Sequence, residues 1–92
     1  MAERNRDTVV SEKLVRKVVM AALRGETGDA GWLKIDPKAT KKEISLAIME
    51  ADRRGLVRGT DVSTPGAPLE WKLLGPTAAS AQFIGETRSG KK

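Results

Sequence analysis

Residues 40–57 read TKKEISLAIMEADRRGLV and contain both boundaries of one helix and the beginning of a strand. Thr40 and Glu43 have the spacing of a capping box, in which each side chain accepts a hydrogen bond from the backbone N–H of the other residue. Gly55 suits the left-handed conformation that commonly ends a helix. Between these boundaries, apolar residues recur at intervals of three and four: Ile44, Ala47, Ile48 and Ala51. The pattern predicts a helix with one buried face.

The sequence before this helix predicts a longer first helix and then a short strand. Residues 8–24 carry an apolar stripe at helical spacing, and either Thr8 or Ser11 can supply the N-cap oxygen. Residues 25–31 are rich in Gly, Asp and Thr and predict a loop. Residues 32–35, WLKI, alternate between apolar and polar side chains and predict a strand, which an Asp-Pro pair then ends.

The sequence after the capped helix predicts a hairpin and a short closing helix. Residues 56–58 form the first predicted strand, and a turn-rich stretch over residues 60–68 follows it. Residues 69–73, LEWKL, alternate strictly and predict the second strand. Thr77 can cap the last helix.

The order helix, short strand, capped helix, hairpin and short helix is that of a winged-helix domain, an α+β fold (α-β-α-β-β-α). The layout resembles the small YjcQ-type winged-helix proteins of bacterial prophages, in which a helix ending in a step like RGLV, residues 54–57, leads into a hairpin. A segment like LGPT, residues 74–77, and a short closing helix follow there. The resemblance covers about residues 11–86 and implies a fold more than a function.

The resemblance and the element pattern together divide the chain into three parts. We expect a flexible N-terminal arm over residues 1–7, the winged-helix domain over residues 8–84 and a disordered basic tail over residues 85–92. Ordinary helix-turn-helix domains have a separate supporting helix before the recognition helix. Only residues 25–39 separate the two long helices in this chain, so we predict that the supporting helix is reduced to a turn or missing.

The composition excludes several kinds of site. The 92 residues include no Cys, His or Tyr, so disulfides, zinc fingers and catalytic dyads built on Cys or His are excluded. The carboxylates show no spacing that suits a hard cation, and residues 25–28 lack the lysine of a phosphate loop. We therefore predict no enzyme activity, no metal and no cofactor. The longest nearly apolar run, residues 18–23, is too short to cross a bilayer, and no signal-peptide core follows the N-terminus, so a cytoplasmic protein without membrane contact is expected.

The formal net charge of +5 permits a polyanionic partner. If the capped helix is the recognition helix, its first turn presents lysines where the helix dipole adds positive potential. We expect contact with duplex DNA from seven residues: Lys38, Lys41, Lys42, Ser45, Arg53, Arg54 and Arg58. Ser45 is expected on the exposed face, where its hydroxyl would touch a base edge or a phosphate. The function predicted first is a winged-helix DNA-binding protein, as a transcriptional regulator or accessory factor of phage or prophage type.

Other features favour a protein partner. The predicted wing over residues 60–69 contains no Lys or Arg, and the arginines at the helix end can pair with Glu50 or Asp52 instead of DNA. An exposed Leu46 or Met49 would suit a protein surface better than phosphate. The alternative function is a protein-interaction module on the same fold, such as a phage factor that binds a host protein or a nucleic-acid enzyme.

The aromatic residues and the last helix are relevant to base stacking and to dimer formation. Trp32 and Trp71 are expected to pack rather than to stack on bases, with their indoles close together across paired strands. A homodimer would raise the affinity of a single DNA-binding module. The first helix or the Phe83–Ile84 end would supply that contact.

Overall fold

The structure, a computed structural model, describes residues 11–89, with side chains described as far as Gly85. The described residues form α1 (Glu12–Leu23), β1 (Gly28–Asp29), α2 (Lys41–Arg53), β2 (Val57–Asp61), β3 (Trp71–Pro76) and α3 (Ala78–Ser89). The predicted arm over residues 1–7 and the end of the predicted tail, residues 90–92, lie outside them.

The three strands form one antiparallel sheet in the order β1-β3-β2. The central strand, β3, pairs with β2 along its length and with β1 through Gly28 opposite Leu73. A β-bulge interrupts the β2–β3 pairing between Arg58 and Gly59. This small α+β arrangement is compatible with a winged helix, in which β2, β3 and the loop between them make the wing.

The core lies between the helices and one face of the sheet. Val15, Val18 and Val19 of α1, Ile48 of α2 and Leu73 of β3 are completely buried. The predicted apolar stripe of α2 is confirmed, because all four of its residues are buried. Removing these side chains from water is the main force that holds the helices on the sheet.

The predicted strand over residues 32–35 is wrong. Trp32 and Leu33 both donate their backbone N–H to the carbonyl of Asp29, at 2.8 and 3.1 Å, which turns the chain directly after β1. Leu33 and Ile35 are buried all the same. The alternation therefore marks two side chains that anchor a turn, and the strand that pairs with β3 comes earlier, at Gly28–Asp29.

Residues 30–39 lie between β1 and α2, where the sequence predicts a reduced or missing supporting helix, and they contain no helix. A second turn is closed by the Ala39 N–H, which donates to the Asp36 carbonyl at 3.0 Å. The Asp36 carboxylate accepts from the Lys38 N–H at 2.9 Å and from the Lys17 ammonium at 3.0 Å, so α1 also holds this segment. These two partners lower the pKa of the Asp36 carboxyl. The segment is a pair of turns, as the sequence predicts for a reduced supporting helix.

α3 is longer than the sequence predicts. It continues through Gly85 to Ser89, past residue 84, where the predicted domain ends. The partly buried side chains of Phe83 and Ile84 pack against the core. Because part of each side chain is already packed against the core, these two residues are less available for a dimer contact. Within the described part of the chain, no helix is both long and apolar enough to cross a membrane.

Two hydroxyls fix the start of α3. Thr77 Oγ1 accepts from the Ala79 N–H at 3.2 Å, while Ser80 Oγ accepts from the Thr77 N–H at 2.8 Å, which is a capping-box arrangement with Ser in place of Glu. The same hydroxyls donate to the carbonyls of Gly55 and Leu56. The predicted cap at Thr77 is confirmed, and it also ties α3 to the end of α2.

Candidate nucleic-acid interface

The first turn of α2 is shaped by its capping box. The Glu43 N–H donates to Thr40 Oγ1 at 3.1 Å, and the Thr40 N–H donates to Glu43 Oε1 at 2.8 Å. The predicted box is confirmed. Because Glu43 turns back onto the helix end, its charge offsets the positive potential that the dipole creates there.

Ser45 is not part of an exposed surface, which corrects its predicted role. Its side chain is completely buried, and its hydroxyl accepts the Trp71 N–H at 3.1 Å. Ser45 lies on the side of α2 that faces β3, so its hydroxyl joins the helix to the sheet. Ser45 cannot reach a base or a phosphate in this fold.

The predicted lysines differ in whether their charge is free. The Lys41 ammonium lies 3.4 Å from a carboxylate oxygen of Glu70 in a partly exposed ion pair. Lys38 and Lys42 are exposed, as is Arg58 on β2, and none of the three forms an ion pair within residues 11–85. Three of the seven predicted residues thus present an unpaired positive charge to solvent.

The arginines at the end of α2 are held by acidic side chains. Arg53 and Arg54 both bind Glu50, with Nε to carboxylate distances of 3.0 and 2.7 Å. Arg54 also makes two hydrogen bonds to Glu12 at the start of α1. The pairing with Glu50 that the sequence allowed is present, while Asp52 instead accepts the Gly59 N–H at 3.1 Å. These two arginines are engaged inside the domain.

The Glu12–Arg54–Glu50 network gives stability a pH dependence. The Arg54 guanidinium lowers the pKa of the Glu12 carboxyl, and Arg53 and Arg54 lower that of Glu50. Groups whose pKa is lower in the folded state stabilise it above their unfolded pKa, and that contribution is lost as pH falls through the folded pKa. We expect Arg54→Met to lower the free energy of unfolding by up to about 1 kcal/mol at neutral pH. The difference from the parent is expected to shrink below about pH 4.

Urea unfolding of both proteins over a pH series measures this effect. Arg24→Met is the matched control, because within residues 11–85 Arg24 pairs only with its neighbour Glu26, in an exposed contact at 3.1 Å. The control is expected to follow the parent closely. A pH profile of Arg54→Met parallel to that of the parent would contradict the assignment.

One face of α2 points away from the core. The residues spaced at i, i+4, i+7 and i+11 along it form what we call the outer stripe: Lys42, Leu46, Met49 and Arg53. Its two charged ends are exposed and its two central apolar side chains are half-buried. The stripe is therefore positive at the N-terminal end, apolar in the middle and charge-paired at the C-terminal end.

The loop between β2 and β3, residues 62–70, is ordered by polar contacts and contains no Lys or Arg. Ser63 Oγ accepts the Glu70 N–H at 2.7 Å and donates to the Glu70 carbonyl at 3.1 Å, which closes the loop. Asp61 accepts the Ser63 N–H at 2.8 Å. Contacts with Ser63 lower the pKa of the Asp61 carboxyl. The loop is thus held in shape, and the Asp61 carboxylate beside it adds no attraction for phosphate.

The two tryptophans lie in different environments. Trp71 is partly buried against the core, which confirms its predicted packing. The predicted packing of Trp32 is wrong, because 81% of its surface is exposed. The predicted pairing of a Trp32 strand with the Trp71 strand is also wrong, since Trp32 belongs to a turn. Its place among turn-forming Gly and Asp-Pro residues is the sequence signal that could have revealed this exposure.

Comparisons with known proteins give no match for this chain, whether with protein-family models, with curated proteins or with solved structures. The resemblance to the prophage proteins stays a prediction. The fold and the geometry of the charged surface therefore carry the proposals.

Proposed function

We propose that this chain is a small winged-helix protein that binds duplex DNA with the N-terminal part of α2, as a regulator or accessory factor of phage type. The observation that carries the proposal is the set of unpaired cations at Lys38, Lys42 and Arg58 on a fold with the strand order β1-β3-β2. In helix-turn-helix proteins, the N-terminal residues of the recognition helix approach the major groove. Lys38 and Lys42 occupy that end of α2.

The outer stripe limits how the DNA would be read. Arg53 is engaged with Glu50, and α2 has no Asn or Gln for adenine. Leu46 and Met49 can make apolar contact with thymine methyl groups, while Lys42 can reach a guanine edge or a phosphate. We therefore propose binding that depends mainly on the phosphate backbone and has modest sequence preference.

Removing one unpaired lysine tests the proposal. Lys42→Gln is expected to weaken binding to a duplex at low salt by about threefold to tenfold and to reduce the salt slope by about one. Arg16→Gln is the matched control, because it removes one positive charge from the part of α1 that lines a hollow with Glu12 and Phe83. The control is expected to change affinity less than about twofold, since exposed charges are screened over distance. Fluorescence anisotropy with a labelled duplex over a salt series measures both quantities.

Three results would overturn the proposal. They are no duplex binding at low salt, an affinity that does not depend on salt, and equal losses in Lys42→Gln and Arg16→Gln. The last result would mean that net charge alone, and not this face of α2, attracts the DNA.

A protein partner is the second candidate, and the centre of the outer stripe favours it. Leu46 and Met49 are half-exposed on a helix whose neighbouring charges are of both signs. Apolar side chains with a mixed polar rim are typical of protein interfaces. Salt-insensitive behaviour towards DNA, together with a stoichiometric protein partner that Met49→Asp no longer captures, would favour this candidate.

A further inference from the structure

Trp32 is a large apolar side chain that the fold holds in solvent. Its backbone is fixed, because the Trp32 and Leu33 N–H groups share the Asp29 carbonyl and the neighbouring Leu33 and Ala30 side chains are buried. Trp32 is 81% exposed. The other exposed large apolar residues of the described part of the chain have about half that exposure; Leu74, for example, is 46% exposed. A fixed backbone that carries a free aromatic ring is an arrangement suited to a ligand.

Trp32 lines one of two neighbouring hollows on the surface of the segment between α1 and α2. One has a volume of about 440 Å³ and is lined by Trp32, Leu33 and Lys34 together with residues 25–27. The other has a volume of about 540 Å³ and continues from Leu33 and Lys34 to Lys41 and Ile44 of α2. The Lys41 side chain also lies against Gly31, where its Cδ would be 3.1 Å from an added Cβ. Lys34 lines both hollows and so lies between Trp32 and the first turn of α2.

Most of the unpaired charge around these hollows is positive. Three acidic groups close to them are engaged, Glu26 with Arg24, Asp36 with Lys17 and the Lys38 N–H, and Glu70 with Lys41. The Asp29 carboxylate, which precedes the turn, forms no ion pair within residues 11–85. Lys34 and Lys38 are exposed and form no ion pair within residues 11–85. A ligand that places an apolar ring on the indole would thus meet free ammonium groups beside it.

We propose that Trp32 is a stacking site for an unpaired base of a single-stranded DNA tail that adjoins the duplex held by α2. A nucleobase has the flat face that an indole stacks on, and its phosphates match Lys34 and Lys38. The proposal rests on the duplex binding proposed above, because the tail gains from starting at a duplex end already held nearby. The protein then distinguishes a tailed duplex, such as a fork, from a blunt one.

The chain offers a direct optical test. It contains two tryptophans. The Trp71 indole N–H is buried and has no hydrogen-bond partner in the described part of the chain, so Trp71→Phe removes none of the hydrogen bonds seen there and leaves Trp32 as the one indole. This protein is titrated with a blunt duplex and with the same duplex carrying a short thymidine tail. We expect the tail to quench the Trp32 fluorescence and to tighten binding by about fivefold to twentyfold.

Variants separate stacking from general attraction. Trp32→Ala is expected to abolish the gain from the tail and to leave the affinity for the blunt duplex unchanged, while Trp32→Phe keeps part of the gain. Leu74→Ala, which shortens an exposed apolar side chain on the outer face of the sheet, is the control and is expected to keep all of it. Circular dichroism confirms that each variant is folded.

The outcomes distinguish the two proposals. A blunt duplex that fails to bind overturns the proposed function, whatever the tail does. Blunt binding without a gain from the tail, or a gain that Trp32→Ala retains, overturns the stacking site alone. If no oligonucleotide quenches the Trp32 fluorescence, the stacking site is also overturned. An apolar segment of a protein partner would then be the favoured ligand of the indole.

Discussion

The free energy of unfolding is expected to fall by about 3 to 5 kcal/mol when Ile48 is replaced by alanine. Ile48 is the largest of the completely buried side chains, and α2 sets it between α1 and the sheet. The substitution removes buried apolar atoms and leaves a cavity, and the two costs add. Since domains of this size have a total stability of about 5 to 15 kcal/mol, the variant would lose a large part of it.

Thermal and urea unfolding with circular dichroism as the signal measure the loss. Leu74→Ala is the matched control, because Leu74 is 46% exposed on the outer face of β3. Its truncation is expected to cost less than about 1 kcal/mol. Equal losses in the two variants would contradict the assignment of Ile48 to the centre of the core.

The parts of the fold that local chemistry determines can be predicted from the sequence. The Thr40–Glu43 box and the cap at Thr77 need only neighbouring residues, and both are present. The apolar stripe of α2 is equally local, because helical spacing alone brings its residues to one side. The hairpin is also predictable, since strict alternation over residues 69–73 marks a strand with one buried face.

The parts that depend on distant residues are harder to predict. Ser45 lies on the flank of α2, and only the position of β3 decides that this flank is covered. The WLKI segment, which begins at Trp32, turns away from the sheet because the Asp29 carbonyl accepts hydrogen bonds from two N–H groups. The periodicity of the side chains does not reveal these backbone hydrogen bonds. The shortness of β1 has the same cause.

The candidate interface shows a similar division. Charge and spacing predict that Lys38 and Lys42 lie at the exposed start of α2. Whether a charge is free depends on partners far along the chain, such as Glu70 for Lys41 and Glu12 for Arg54, which are 29 and 42 residues away. The sequence alone therefore predicts which cations lie on the surface. It predicts less readily which of those cations lack an ion-pair partner.

Gly59→Ala is expected to lower the free energy of unfolding by about 1 to 3 kcal/mol. A Cβ at this position would lie 2.8 Å from Ile48 Cγ2 and 3.2 Å from the Lys72 carbonyl oxygen. The φ angle of Gly59 is not positive, so the cost is steric rather than conformational. The strand cannot easily retreat, because the Gly59 N–H is bound to the Asp52 carboxylate at 3.1 Å. Gly75→Ala in β3 is the control with a small expected effect, since an added Cβ meets nothing within 4 Å there.

A double-mutant cycle identifies the atom responsible for this cost. Ile48→Ala removes Cγ2, the atom closest to the added methyl group, so Gly59→Ala is expected to cost about 1 kcal/mol less in that background. The relief is incomplete because the Lys72 carbonyl stays in place. Ile48→Val keeps Cγ2 and loses only the terminal methyl group, so the full cost of Gly59→Ala is expected to persist with it. Additive costs in the Ile48→Ala background would mean that the two residues do not touch, and the packing of β2 on α2 would then be wrong.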